Sequence, residues 1–332
     1  MSNVVKHPAV GNYDWHNYAI NAQELCDKQF PPLKYLFHKL IPEGVTLLVS
    51  RPKIGKSWFL QQAGTSVALG MGTLSIPDYV KPTHGDVLHL TLEDGERRFK
   101  RRMEKYFNDD RNNWPSRMTI MRQWRRLDNG GLDDLYEWCN EVKEPTLISI
   151  DTLKKVRPAP KSGKATNYDI DYESCEGLIK LSHDVPGLSI LVAHHDRKMD
   201  ADDPFDTVSG TLGLTGGVDA IAMFKRSRNG IALYIQGRDL EDPIEKAVRL
   251  DRETGRWEIL GEAIELGEST DRKRVKEALR SAIPNGLSVA EIMSRCFFKT
   301  RNAADLLLGK MVDDGSVLRV KRGVYALAEP VM

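Results

Sequence analysis

Three consecutive residues, Gly55-Lys56-Ser57, have the types and order that hold a phosphate. They belong to the stretch Ser50-Arg51-Pro52-Lys53-Ile54-Gly55-Lys56-Ser57-Trp58, which starts at the end of the apolar run VTLLVS and runs into KSWFLQQAGTSVAL. In the pattern GxxxxGK[ST], a loop after a strand curls its backbone N–H groups around phosphates, and the next helix points its N-terminus at the same anion. Residues 50–58 are therefore the expected cradle. Gly55 lets the backbone approach closely, Lys56 reaches the β- and γ-phosphates, and Ser57 holds Mg²⁺. Ser50 stands where the pattern has its first glycine, so strain from a positive φ is expected there. The competing reading is a surface loop that spells GKS by chance.

Hydrolysis of a nucleoside triphosphate also needs an acid that orients the metal and a base for water. TLISIDT delivers Asp151 to a strand's carboxyl end, where ligands bind in open α/β sheets. It would hold Mg²⁺ directly or through water; otherwise it opens a loop as a cap. VLHLTLEDGERR offers Glu93 as the base, with Asp94 as competitor or as cap of the following helix. LSILVAHHDRK ends another strand in His194 and His195, placed to sense the γ-phosphate or the water. His195 leads because it comes last before the loop.

The elements that must position these residues are legible as an alternation. VTLLVS, DVLHLTL, RMTIMR, TLISIDTL, LSILVAHH, VDAIAMF and IALYIQG are short runs of the kind found in a sheet covered on both faces. Between them lie the helical stretches KSWFLQQAGTSVALGMG, GERRFKRRMEKYF and NYDIDYESCEGLIKLSHDV. Strand–helix alternation predicts a parallel, doubly wound α/β domain. Two long polar segments, 154–167 and 194–217, read as functional loops. They offer Arg197 and Lys198 to a nucleic-acid strand, although the neighbouring DADD opposes a simple basic grip.

The chain of 332 residues carries 48 basic and 47 acidic side chains, so a nucleic-acid partner must be served by local patches. Its 41% apolar content is that of a globular protein, and no apolar run approaches the length of a membrane span. MSNVVKHPAV has no apolar signal core, and Cys26, Cys139, Cys175 and Cys296 show no metal-binding spacing. The expectation is reduced thiols, a cytoplasmic location and no membrane partner.

Residues 1–40 are expected to form an N-terminal segment, 41–262 the ATPase domain, 263–270 a linker and 271–332 a separate small domain. The last reads helix, helix, helix, hairpin, with Ser288 and Thr300 as caps and Lys321-Arg322-Gly323 at the hairpin tip. That order predicts a winged helix-turn-helix with twelve basic against seven acidic residues. Arg301, Lys321 and Arg322 would contact duplex DNA, but NAADLLLGKM has few side chains suited to reading bases, so a replication protein is the alternative partner.

The segments IPEGVTLLVSRPKIGKSW, LTLEDGERRFKRRM, ISIDTLKKVRP, LVAHHDRK, DPFDTVSGTLGLTGGVDAI and IQGRDLED…LDRETGRWEILG together resemble the RepA-type AAA proteins of plasmids, phages and mobile islands. The resemblance covers about residues 15–262. It implies a RecA-like P-loop NTPase core with a mostly parallel twisted sheet, ATP and Mg²⁺ as cofactors, and a hexameric ring that translocates on single-stranded DNA as a helicase in replication. FKRSRNG resembles the segment from which ring helicases supply an arginine to the neighbouring subunit, which makes Arg226 and Arg228 the trans pair and Arg238 a weaker choice. The bland reading of that pair is a solvated strand end, and of ERRFKRRMEK a solvated or subunit-facing helix. The alternative function is a non-translocating RecA-fold ATPase switch that loads or regulates other DNA-processing proteins. A small-molecule kinase is disfavoured, because the site residues suit attack by water.

Overall fold

The computed structural model describes residues 16, 19–37, 40–72, 83–158, 167–195, 217–227, 230–263, 270–298, 300–313, 315–321 and 323–328. The chain divides into two compact units, Met1–Leu33 and Lys34–Met332. In the first, helix α1 (Ala22–Cys26) is closed by a capping box between Asn21 and Glu24 and buries none of its residues. The expected break at residue 40 falls inside the second unit. Strands β1 (Tyr35–Phe37) and β2 (Ile41–Pro42) pair there, and Leu36, Phe37 and Leu40 are buried, because the apolar side chains after Pro31-Pro32 fill the main core.

The second unit is built on a nine-stranded sheet. Its strands are β3 (Gly44–Ser50), β4 (Asp86–Thr91), β5 (Met118–Met121), β6 (Pro145–Asp151), β7 (Ser189–His195), β8 (Ala220–Ser227), β9 (Gly230–Gly237), β10 (Ile244–Leu250) and β11 (Trp257–Glu262). Their order is β11-β10-β9-β8-β3-β7-β6-β4-β5. Strands β8 to β5 along this order are parallel, while β9, β10 and β11 extend the sheet antiparallel. All seven apolar runs are strands, in the mostly parallel arrangement that the resemblance implies.

Helices cover both faces. On one lie α2 (Lys56–Leu69) and α3 (Glu96–Tyr106), packed with β10 and β11. On the other lie α4 (Leu132–Glu141) and α6 (Asn167–Asp184), with the short α5 (Leu153–Val156) between them in sequence. Eleven of the fourteen α2 residues are buried, so this helix has no polar stripe. Helix α3 is the opposite case. Phe99, Met103 and Tyr106 form its buried seam, and the remaining positions carry charge.

Strands β10 and β11 carry no continuous apolar run, and their importance is tertiary. Trp257, at the start of β11, stacks on Phe224 of β8 with ring centroids 4.5 Å apart. Its backbone N–H donates to Gln62 Oε1 at 2.6 Å and its carbonyl accepts from Gln62 Nε2 at 3.0 Å. Its indole N–H donates to the carbonyl of Gly55 at 3.1 Å. One residue thus ties the sheet's far strand to α2 through its backbone and to the loop before it through its side chain.

The tail packs its own core from α7 (Thr270–Arg280), β12 (Leu287–Ser288), α8 (Val289–Cys296), α9 (Arg301–Asp313), β13 (Val317–Lys321) and β14 (Val324–Leu327). The three strands pair antiparallel in the order β12-β14-β13. Ser288 caps α8 through a reciprocal box with Glu291, and the Thr300 hydroxyl accepts from the Ala303 N–H at the start of α9. Among the described residues no helix is long and apolar enough to cross a membrane.

Trp257→Ala is expected to destabilise the protein by about 3–5 kcal/mol, and Trp257→Phe by distinctly less. Urea midpoints at unchanged slope measure the difference.

Candidate nucleotide site

The loop after β3 is shaped as the sequence requires. Gly55 adopts φ 127° and ends the loop as the N-cap of α2 without a side-chain cap, so the first amides of the helix stay open to an anion. A Cβ at Gly55 would lie 2.9 Å from both Leu250 Cδ2 and Trp257 Cζ2. Glycine is therefore required twice here, by its φ and by the strands packed behind it.

Ser50 corrects the expectation of strain. The positive φ values of this loop fall on Lys53 and Gly55, not on Ser50. The Lys56 ammonium, in a residue only 6% exposed, donates to the Ser50 carbonyl at 2.9 Å and to its hydroxyl oxygen at 3.0 Å. Serine at this position adds a hydrogen-bond acceptor that glycine would lack.

The acids arrive from the neighbouring strands. Asp151 closes β6, is 4% exposed, and accepts a hydrogen bond from the Ser57 side chain. Burial pushes its carboxyl up from the usual range, Ser57 opposes the shift, and the charges of Glu93 and Asp94 add to it. Thr91 of β4 is its register partner, so Glu93, two residues beyond, comes to the same edge. The Thr152 hydroxyl donates to Glu93 Oε1 at 3.2 Å.

Asp94 does not cap α3, whose N-cap is Gly95 without a side-chain bond. It is instead bound by Arg98 at 2.6 Å and Arg102 at 2.5 Å. That geometry leaves Glu93 as the base candidate, since Asp94 is occupied by two guanidinium groups.

These groups line one cavity of about 540 Å³. Pro52 to Trp58, Glu93, Asp94 and Asp151 form its floor and one wall, and Leu250–Arg252 with Gly255 form another. The cation-dense α3 is more than a solvated helix, because Arg98, Arg102 and Lys105 reach the same space. Arg102 lies 5.3 Å over the Trp58 ring and Lys105 6.0 Å over it. Gly255, at φ 70°, makes room for that ring, which a Cβ would approach to 2.1 Å. Lys53, Lys56, Arg98, Arg102, Lys105 and Arg252 outnumber the lining acids Glu93, Asp94, Asp151 and Asp251, so the cavity favours an anion.

Beneath it, His89 of β4 and Ser149 of β6 share a 2.5 Å hydrogen bond across the strands. Burial pushes the imidazole down to about 3, with the Arg102 charge acting in the same direction, so it stands neutral below the site.

His194 and His195 lie beside Val49 and Ser50 in the β7–β3 register. His194 is half-buried, and the side chain of His195 lies outside the described residues. Arg226 is exposed near the carboxyl end of β8, outside the cavity lining. Arg228 lies outside the described residues, as do Arg197, Lys198 and Arg322. Arg238 is displaced to the other rim, since β9 runs back and Gly237 pairs with Ala220 at the start of β8. Arg301 pairs with Asp305 of its own helix at 3.5 Å, and Lys321 is exposed.

The site fits a Mg²⁺-bound nucleoside triphosphate. A glycine cradle, open helix amides, a buried ammonium and a hydroxyl–carboxylate pair, Ser57 with Asp151, are the donor set such a ligand needs. The sequence alone assigns no role to Trp257 behind the cradle or to Gly255, Arg98, Arg102 and Lys105 in the cavity lining. Only the curl of β10–β11 over α2 makes that role visible.

Asp151→Asn is expected to abolish hydrolysis while raising thermal stability. A carboxyl whose folded pKa is raised costs stability above that pKa, and the cost fades as pH falls through it. The asparagine removes this cost, by roughly 2–4 °C in Tm for each kcal/mol relieved. Calorimetry at neutral and acidic pH would show a gain that shrinks in acid.

A family model described as an AAA domain matches residues 21–201, more than half of the chain. Among solved structures, a DnaB-like replicative helicase, described with its interactions with primase, is 13% identical with a TM-score of 0.49. That match covers 67% of this chain and 58% of the helicase's own length. A KaiC-like protein of the hyperthermophilic archaeon Pyrococcus horikoshii OT3 is 12% identical with a TM-score of 0.43, covering 69% of this chain and 99% of that one. No curated protein matches. With its cradle, strand-end acids and mostly parallel sheet inside the matched region, the chain belongs to the AAA domain family of RecA-fold P-loop ATPases.

Proposed function

We propose that the protein is an ATP-dependent ring helicase or translocase on single-stranded DNA, acting in the replication of a mobile element. The observation that carries the reading is the order of strand ends. Ser50, His195, Asp151 and Thr91 end β3, β7, β6 and β4, four neighbours in one sheet. Bound Mg²⁺ would neutralise charge on the β- and γ-phosphates. Ser57 and Asp151 are the residues to hold it, and Lys56 moves from Ser50 to the phosphate oxygens. Glu93, oriented by Thr152, takes the proton of the attacking water. His195, in register with Ser50, passes the change in the cradle to the segment after β7.

Arg226 supports a ring. It is exposed on the same carboxyl edge yet does not line its own cavity, as suits a group that completes a neighbour's site. The small C-terminal domain is read as a winged helix that serves as adaptor to a partner.

Lys56→Ala and Arg226→Ala are each expected to lower ATP turnover by about 10³-fold or more. Mixed in equal amounts, they should recover about a quarter of wild-type turnover, because an intact cradle then meets an intact arginine across some interfaces. No recovery on mixing would remove Arg226 from its trans role, and wild-type turnover in Lys56→Ala would remove the site. Displacement of a forked duplex, with six subunits found in ATP and oligo-dT, separates the translocase from the switch.

A further inference from the structure

A second cavity, of about 520 Å³, opens on the lateral edge of the sheet, away from the strand ends. Thr119 and Met121 of β5, the segment Gln123–Arg125, and Asp134, Glu137, Trp138 and Glu141 of α4 line it. Strand β5 is the last in the sheet, and among the described residues no strand pairs with its outer side. Thr119, Ile120 and Met121 are all exposed. A bare, partly apolar edge strand invites another strand.

Two features point to what it takes. Trp138 is only 8% exposed and lines the cavity, but its indole N–H has no acceptor among the described residues. Trp124, in contrast, donates to the Gly131 carbonyl. In addition, α4 carries Asp133, Asp134, Glu137 and Glu141 and no basic residue. Arg125 is committed to Asp134, so Glu137 and Glu141 leave the rim acidic.

The matching surface lies in the C-terminal domain. Strand β13 is the outer strand of its sheet, and among the described residues its free side is likewise unpaired. Leu318 and Val320 are 54% and 60% exposed, and Arg319 and Lys321 alternate with them. This is a basic edge strand where β5 is flanked by acid.

We propose that β13 of one copy adds to β5 of a second copy. Thr119 and Met121 share the cavity face of β5, and Arg319 and Lys321 flank a bulge in β13 where the alternation of faces is broken. In the joined sheet Arg319 lies along the tryptophans toward Glu137 and Glu141, and Lys321 reaches the same acidic rim from beyond the bulge. Leu318, on the face opposite Arg319, then packs beside Ile120, and the incoming chain supplies carbonyl oxygens for the Trp138 N–H. A second copy fits better than the same chain. Within one copy the two edges do not meet, since β5 and β13 belong to separate sheets and neither has a strand on its free side among the described residues. The pairing is independent of the nucleotide reading, since it uses none of those residues.

The test uses two full-length variants that lack the exposed Cys26 thiol through Cys26→Ser; the other cysteines are buried. One copy carries Ile120→Cys and the other Val320→Cys, and the mixture is treated with a short bismaleimide. The expected product is a cross-linked heterodimer. Glu137→Lys with Glu141→Lys in the first copy should cut its yield about tenfold, and Arg319→Glu with Lys321→Glu in the second should restore it. Circular dichroism and ATP turnover report that each variant is folded. Folded variants that give no cross-link, or a yield indifferent to both reversals, overturn the proposal.

Discussion

The structure depends on keeping a buried ammonium and a buried carboxylate charged at the ends of neighbouring strands while a ligand-shaped space stays between them. Lys56 and Asp151 are both almost fully removed from water. Ionised groups are stable there only when dipoles replace their hydration. Ser50 offers a carbonyl and a hydroxyl to the lysine, and Ser57 offers a hydroxyl to the aspartate. These partners are dipoles, and the Arg102 charge opposes the rise at Asp151 only as the smallest of the influences on it. The raised pKa of Asp151 is the visible sign that its charge is poorly compensated in the protein alone.

That arrangement needs a rigid mould, and the mould comes from distant sequence. Gly55 can hold φ 127° because Trp257 and Leu250 occupy the space behind it and Trp257 donates to its carbonyl. Gln62, about two turns further along α2, binds both backbone groups of Trp257. The cradle is thus gripped from behind by a strand some two hundred residues away. Such a clamp fixes a backbone conformation more firmly than local turn preference, because displacement of the loop would cost the Trp257–Gly55 hydrogen bond and the packing of a buried indole.

Legibility in the sequence followed burial geometry. Parallel strands in a covered sheet are apolar runs, and all six were readable, as was the antiparallel β9; so were the strand-end positions of Asp151 and the histidines, which follow from counting residues. Strands β10 and β11 were not, since IEKAVRL and WEILGE mix charged and apolar residues and pack against a helix that sequence cannot place beside them. The function of α3 was hidden for a similar reason. Arg98 and Arg102 look like solvated charges until Asp94, four residues before one and eight before the other, is seen to bind both. Ser50 was misjudged because the motif's glycine suggests a positive φ, whereas the bend is taken by Lys53 and Gly55.

The sheet has two kinds of boundary, and the sequence treats them differently. At the carboxyl ends of the parallel strands the side chains are polar, the setting in which open α/β sheets take up ligands. At the lateral edge, β5 presents backbone groups and exposed Ile120 and Met121, so that edge recognises another strand. Helix α3 separates the two. It leads from Asp94 at the site toward the segment that begins β5, and Arg122 just after β5 is paired to Glu96 at its first turn. Arg98 and Arg102 of this helix line the cavity, and its first turn is tied to the end of the strand at the free edge. One amphipathic helix therefore touches both boundaries of the sheet, with its buried seam of Phe99, Met103 and Tyr106 anchored in the core between them.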